Sequence, residues 1–312
     1  MPLPVTKADI DAAAARIETY VRQTPLLECS AGTFGLPAPI MLKLEFLQHT
    51  GSFKPRGAFN SLLSTDVPAA GVAAASGGNH GAAVAYAAKT LGHAAKIFVP
   101  EISSPIKIER IRQAGADIVV EGARYADALA LCEAHIAATG ALSIHAYDAE
   151  ATIAGQGTVG REFARQKPDL DTVIVAAGGG GLIAGIAAWF ENDVKVIGVE
   201  PEGSRALHAA LAAGGPVDVS VESVAADSLG ARNTGPRVHA IAAQFVDQVV
   251  LVRDDAIIAA QKHLWSECQI ISEPGGATAL AALMCGAYTP RDGEKVGVLV
   301  CGANTGFDRF MD

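Results

Sequence analysis

The chain is poor in the residues that build secreted scaffolds and metal cages. Only five of its 312 residues are cysteine (Cys29, Cys132, Cys268, Cys285 and Cys301), an odd, scattered set with no C-x-x-C pair. That excludes a disulfide framework or a zinc cage as the organising principle and fits a reducing, cytoplasmic setting. Positive charge is also short: 24 Lys+Arg against 33 Asp+Glu leave a formal charge of −9, which argues against nucleic-acid or acidic-membrane partners. No H-E-x-x-H, G-x-S-x-G or EF-hand loop occurs, and the eight histidines show no ligand spacing. The opening MPLPVTKADIDAAAARI lacks a charged region followed by an apolar one, so no signal peptide is expected. One run, Val173 to Phe190, has 18 residues without a charge, the threshold for a membrane helix. Gly178–Gly181 interrupt it, and strand, glycine turn, helix is the expected reading.

Half of the sequence is apolar, and its 33 glycines follow no G-X-Y period, so a disordered or collagen-like chain is excluded. The length suggests two domains of ~100–200 residues each. Short apolar runs read as buried strands at 95–99, 117–120, 142–145, 172–176, 194–199, 248–252 and 296–300. Helical stretches separate them at 105–114, 123–138, 152–166, 182–190, 204–213, 254–266 and 277–285. Such alternation predicts an α/β fold of parallel twisted sheets flanked by helices, in two lobes. No repeat or linker marks a boundary, which hints that the chain leaves one lobe and returns to it.

Four glycine-marked segments fall at strand ends or helix starts, where open α/β sheets bind ligands. In Thr50-Gly51-Ser52-Phe53-Lys54-Pro55-Arg56, the proline places Lys54 at a helix entrance beside apolar Phe53. A lysine desolvated there can act as an imine-forming amine; a surface lysine before a helix is the plainer alternative. Ser76-Gly77-Gly78-Asn79-His80 offers free amides to an anion and an amide side chain to an oxygen, or is simply a turn and cap. Gly178–Gly181 before Leu182 form a phosphate cradle, neither a P-loop nor G-x-G-x-x-G. Glu200, at the end of the next strand, imitates the ribose-binding acid of a dinucleotide fold and keeps a nicotinamide enzyme as a competing reading. Cys301 in Val300-Cys301-Gly302 closes the last strand, as a small buried residue or as a weak partner for a ring nitrogen.

An imine-forming lysine, a phosphate cup, an asparagine loop and a strand-end thiol together describe a pyridoxal phosphate site. The chain resembles fold-type II (tryptophan synthase β-like) pyridoxal-phosphate enzymes, within them the serine/threonine dehydratase and serine racemase group. Lys43-Leu44-Glu45, the segment 50–58, Ser76–His80, Ala154–Thr158, Gly178–Gly181 and Glu273–Ala277 carry the resemblance, in the family's order. It covers the chain from about Thr24 to Asn304.

The resemblance implies a large cofactor-binding domain, 1–68 and 148–312, and a small domain, 69–147. It implies that Lys54, beside Phe53, holds the cofactor through an imine. Gly178, Gly179, Gly180, Gly181 and Leu182 bind its phosphate, Asn79 faces its 3′ oxygen, and Cys301 its pyridine nitrogen. Ser76, Gly77, Asn79 and His80 line the loop for the substrate carboxylate. The implied activity is β-elimination from L-threonine or L-serine, giving a 2-oxo acid and ammonia, with Lys54 as the base at Cα. 3-Hydroxyaspartate elimination and serine racemisation are the alternatives on the same scaffold, and a homodimer is expected.

Three departures bear on these expectations. Gly77 stands where the racemases carry a serine acid/base, so racemisation is expected only in trace. A divalent cation (Mg, Ca or Mn) is held in related enzymes by an acid at the position of Glu200, a carbonyl at Ser204 and an aspartate at 206; here 206 is alanine. The chain stops at Asp312, leaving no room for a regulatory domain, so no isoleucine feedback is expected. Arg232 is a candidate to reach an acidic substrate side chain through a bidentate pair, or else a surface arginine.

Overall fold

A computed structural model describes residues 3–306. Ten strands run in chain order: β1 Leu26–Cys29, β2 Ile40–Lys43, β3 Val72–Ala75, β4 Ala95–Val99, β5 Asp117–Val120, β6 Leu142–Ser143, β7 Thr172–Ala176, β8 Lys195–Pro201, β9 Gln248–Val252 and β10 Val296–Leu299. They form a six-stranded sheet in the order β1-β2-β10-β7-β8-β9 and a four-stranded sheet in the order β5-β4-β3-β6. β1 and β2 pair antiparallel, and every other pairing between these strands is parallel. The chain thus leaves the larger sheet after β2, builds the smaller one, and returns at β7.

Helices cover both faces of the larger sheet, so its central strands contain no alternation of apolar and polar residues. All five residues of β7 are buried. After β7 the glycine run reverses the chain through Gly180, whose φ of 81° suits glycine, into the helix Gly181–Phe190. The uncharged run 173–190 is therefore strand, turn and helix. Among the described residues no helix is long and apolar enough to cross a membrane.

The helix Lys54–Leu63 sits between the sheets with Pro55 in its first turn. Ala58, Phe59 and Leu62 join the core of the smaller sheet, alongside Val72, Ala74, Ile97 and Ile17. That core therefore draws on residues outside 69–147. The opposite side of the helix lies against the helix Glu150–Gln166, whose Gly155 permits the contact. A Cβ at Gly155 would stand 2.5 Å from the Arg56 carbonyl oxygen. The Ala154–Thr158 signature thus serves helix packing behind the site.

Candidate active site

Three neighbouring strands of the larger sheet converge on one crevice. β10 pairs with β2 on one side and β7 on the other, so the segments leaving their C-terminal ends lie together. β7 delivers the glycine run and β10 delivers Cys301. The segment after β2 is tied to β10 by Phe46 N–H to Val300 O (3.0 Å) and Phe53 N–H to Cys301 O (3.2 Å), which sets Lys54 beside Cys301. From the smaller sheet, β3 delivers Asn79. Phe53, Lys54, Asn79, Gly178, Gly179, Gly180, Gly181, Leu182 and Cys301 line a single cavity, with Tyr147, Ala176, Ser228, Leu229, Glu273 and Gly275 completing it.

Lys54 Nζ donates to the Ala146 carbonyl at 2.8 Å and lies 5.0 Å from the Phe53 ring centroid. Loss of hydration outweighs the nearby Cys301 and Glu273 and lowers its pKa to about 8. Facing it, the helix Gly181–Phe190 starts without a side-chain cap, so its first amides remain available to an anion. A partly buried amine and an uncapped helix start in one cavity fit a phosphorylated aldehyde cofactor. Cys301 is buried and its thiol is pushed up to about 12, chiefly by burial; Sγ contacts the Gly275 carbonyl at 3.5 Å. It is a neutral thiol at any ordinary pH.

The helix that carries Lys54 is held by a buried ionic network that the sequence reading left unassigned. Arg56 Nε meets Glu45 Oε1 at 2.5 Å and Nη2 meets Glu162 Oε2 at 2.9 Å, while Lys43 Nζ pairs with Glu162 Oε1 at 2.5 Å. Thr24 adds a hydroxyl to Glu45 Oε2 at 2.7 Å. Lys43 and Glu45 of the Lys-Leu-Glu signature, and Arg56 two residues after the lysine, thus act beneath the site.

Other expected residues stand elsewhere. Ser76, Gly77 and His80 do not line the cavity. The His80 ring is buried, and its Nε2–H donates to the Ile144 carbonyl at 2.8 Å. Burial, then the Lys54 charge, lower its pKa to about 3, so it is a neutral structural group. Ser76 Oγ accepts the Gly78 amide at 3.2 Å and shapes the turn. Arg232 is exposed and lines no cavity with Lys54.

Glu200, expected with the Ser204 carbonyl to hold a divalent cation, is instead bound by backbone amides. Both Glu200 oxygens accept backbone amides, Leu207 N at 2.9 Å and His208 N at 2.8 Å, so the carboxyl faces the positive end of a helix. Burial pushes its pKa up to about 8, and Ala206 adds no ligand. Ser204 Oγ donates to the Leu229 carbonyl at 2.9 Å. Among the described residues no group of three or more His, Cys, Asp or Glu side chains could hold a metal ion.

Glu273 was legible only as part of Glu-Pro-Gly-Gly-Ala, without a role. Its Oε1 accepts Asn79 Nδ2–H at 2.6 Å, while Oε2 is buried without a hydrogen-bond partner among the described residues.

Comparison with known proteins agrees with this architecture. The pyridoxal-phosphate dependent enzyme family matches residues 17–302, and the chain belongs to it. Phenylserine dehydratase of Ralstonia pickettii is 39% identical, over 96% of this chain and 94% of that protein. The L-threonine ammonia-lyase of Geobacter sulfurreducens is 37% identical, over 93% and 73% respectively. Among solved structures, maize serine racemase aligns with a TM-score of 0.92 at 32% identity, covering 98% of this chain and 95% of that one.

Proposed function

We propose that the protein eliminates water across Cα and Cβ of a small 3-hydroxy amino acid, L-threonine or L-serine, and that the unsaturated amine formed takes up water and releases ammonia, leaving 2-oxobutyrate or pyruvate. The observation that carries the reading is Lys54, an amine lowered to about 8 in the cavity that also holds an uncapped helix start. Bound there, pyridoxal phosphate supplies an electron sink for negative charge at the substrate Cα. The amides of Gly181 and Leu182 take its phosphate, with Gly178–Gly180 giving the backbone room to approach. Lys54, once its nitrogen is free, takes the Cα proton. Cys301 stays a neutral thiol and offers no carboxylate to keep a ring nitrogen protonated, which favours elimination over transamination. Asn79 presents an amide hydrogen to the 3′ oxygen. Residues 1–68 and 148–312 form the cofactor-binding lobe in this reading, 69–147 the smaller lobe, and the chain works as a homodimer.

Racemisation is disfavoured at Gly77. The position has no side-chain proton to give, and a Cβ there would crowd the Ser103 hydroxyl. A second reading concerns the β-substituent. A further cavity shares Ser228 and Glu273 with the first and is edged by Ile106, Val224 and Pro274, which leaves room for a group larger than methyl. The relative named for phenylserine makes an aryl group the apt probe. The test is oxo-acid release from L-threonine, L-serine, phenylserine and 3-hydroxyaspartate by the cofactor-loaded protein, with D-serine followed in parallel. Threonine or serine turnover with trace D-serine is the expected result. D-serine appearing as fast as pyruvate, or no turnover of any hydroxy amino acid, would overturn it.

A further inference from the structure

A polar chain links the second cavity to Asn79 in the first, and its members Lys107, Arg110 and Asn304 have no part in the proposed chemistry. Its ends belong to one short helix of the smaller lobe, Pro105–Gln113. Lys107, buried, puts Nζ 2.5 Å from Asp227 Oδ2 and 4.0 Å from Glu273 Oε2. Three residues on, and so on the same helix face, Arg110 Nη1 donates to Asn304 Oδ1. Between these ends, Asn304 Nδ2 donates to Asn79 Oδ1 at 2.6 Å and to Thr50 O at 2.8 Å, and Asn79 Nδ2 donates to Glu273 Oε1 at 2.6 Å.

The polarity of this chain is dictated from its ends. A guanidinium only donates, so Asn304 must turn its carbonyl to Arg110 and its amide nitrogen to Asn79. Asn79 must then turn its carbonyl to Asn304 and its amide nitrogen to Glu273. That order holds while Glu273 is an acceptor, and the cation beside Oε2 is Lys107. With Glu273 protonated, the carboxyl could instead donate to an Asn79 turned the other way.

We propose that Lys107 and Arg110 are a positioning pair, through which docking of the helix Pro105–Gln113 fixes the orientation of the Asn79 amide in the active site. The inference rests on the proposed function only for the purpose of that orientation. Asn79 keeps one Nδ2 hydrogen free for a ligand when the circuit is closed.

The groups facing Glu273 are Lys107 and Arg110 from this helix, Asn79, Asp227, Lys54 and Cys301. Burial raises its pKa; Lys107 and Arg110 lower it, and Asp227 opposes them. Losing Lys107 therefore raises the pH at which Glu273 ionises. In the loaded enzyme, Lys107→Met should move the acid limb of the kcat/KM profile up by about one pH unit or more. It should cost about 10–100-fold at neutral pH, a loss that shrinks as pH rises. Lys107→Arg should restore most of it. In the cofactor-free protein, hydrogen exchange over residues 103–113 should quicken in Lys107→Met and in Arg110→Met. An unchanged pH profile and unchanged exchange would overturn the proposal. So would a loss equal at every pH, which marks a merely structural residue. If the wild-type protein takes up no cofactor, the functional reading fails, and exchange still decides whether the pair docks the helix.

Discussion

Lys54 sits where Pro55 and the end of β2 put it, beside Phe53 and Cys301 and short of water. Burial is the first cause of its lowered pKa; the Cys301 and Glu273 sites pull the other way and lose. The proton leaves at about 8 rather than at the ordinary 10.5. Above about 8 the neutral amine, the form that attacks a carbonyl, predominates. Capture of pyridoxal phosphate, followed by its visible absorbance band, should therefore rise with pH through about 8 and level off above it. A rise that continues past pH 10 would show a solvated lysine. Lys54→Ala should show no such band at any pH. Cys301, held near 12, and His80, held near 3, do not titrate across this window.

The helix Lys54–Leu63 shows how an element can be positioned from beneath. Its guanidinium, Arg56, is 2% exposed and spans Glu45 and Glu162, so the first turn cannot slide without separating buried charges. Arg56→Met should destabilise the protein by about 3–5 kcal/mol, because two carboxylates lose their shared cation in a poorly hydrated place. Urea unfolding measures this; a loss below about 1 kcal/mol, the value of a surface pair, would refute the anchoring role. The elements themselves were unevenly legible. β7 and its glycine run could be read because burial on both faces and an anion cradle each leave consecutive residues in the sequence. β3, Val-Ala-Ala-Ala, has neither alternation nor strong strand preference; it is a strand because β4 and β6 pair with it. Glu273 and Asn79 are 194 positions apart, so their hydrogen bond has no local signature. The inward turn of the His80 ring to the Ile144 carbonyl likewise has no local signature, since Asn79 beside it in sequence faces the cavity.

At the scale of the whole molecule, the cavity joins the two sheets. Asn79 enters it from the end of β3, whereas Lys54, the glycine run and Cys301 come from the ends of β2, β7 and β10. A ligand touching all of them binds only the folded, docked arrangement, so it stabilises the molecule by mass action. At a concentration 100 times its Kd the gain is about 2.7 kcal/mol, which for a chain of this size is a rise in Tm of roughly 4 °C. Pyridoxal phosphate should give that rise, and Lys54→Ala should reduce it. A divalent cation should give none. The amides of Leu207 and His208 already supply Glu200 with positive charge. A cation there would have to displace both amides and find a second carboxylate, which Ala206 does not provide. Thermal unfolding of the loaded protein in excess chelator and in millimolar Mg²⁺ should therefore coincide within about 1 °C, less than the shift expected for even 1 kcal/mol of binding. A larger separation, restored by Mg²⁺ after chelation, would mean that Glu200 releases its helix to take a metal.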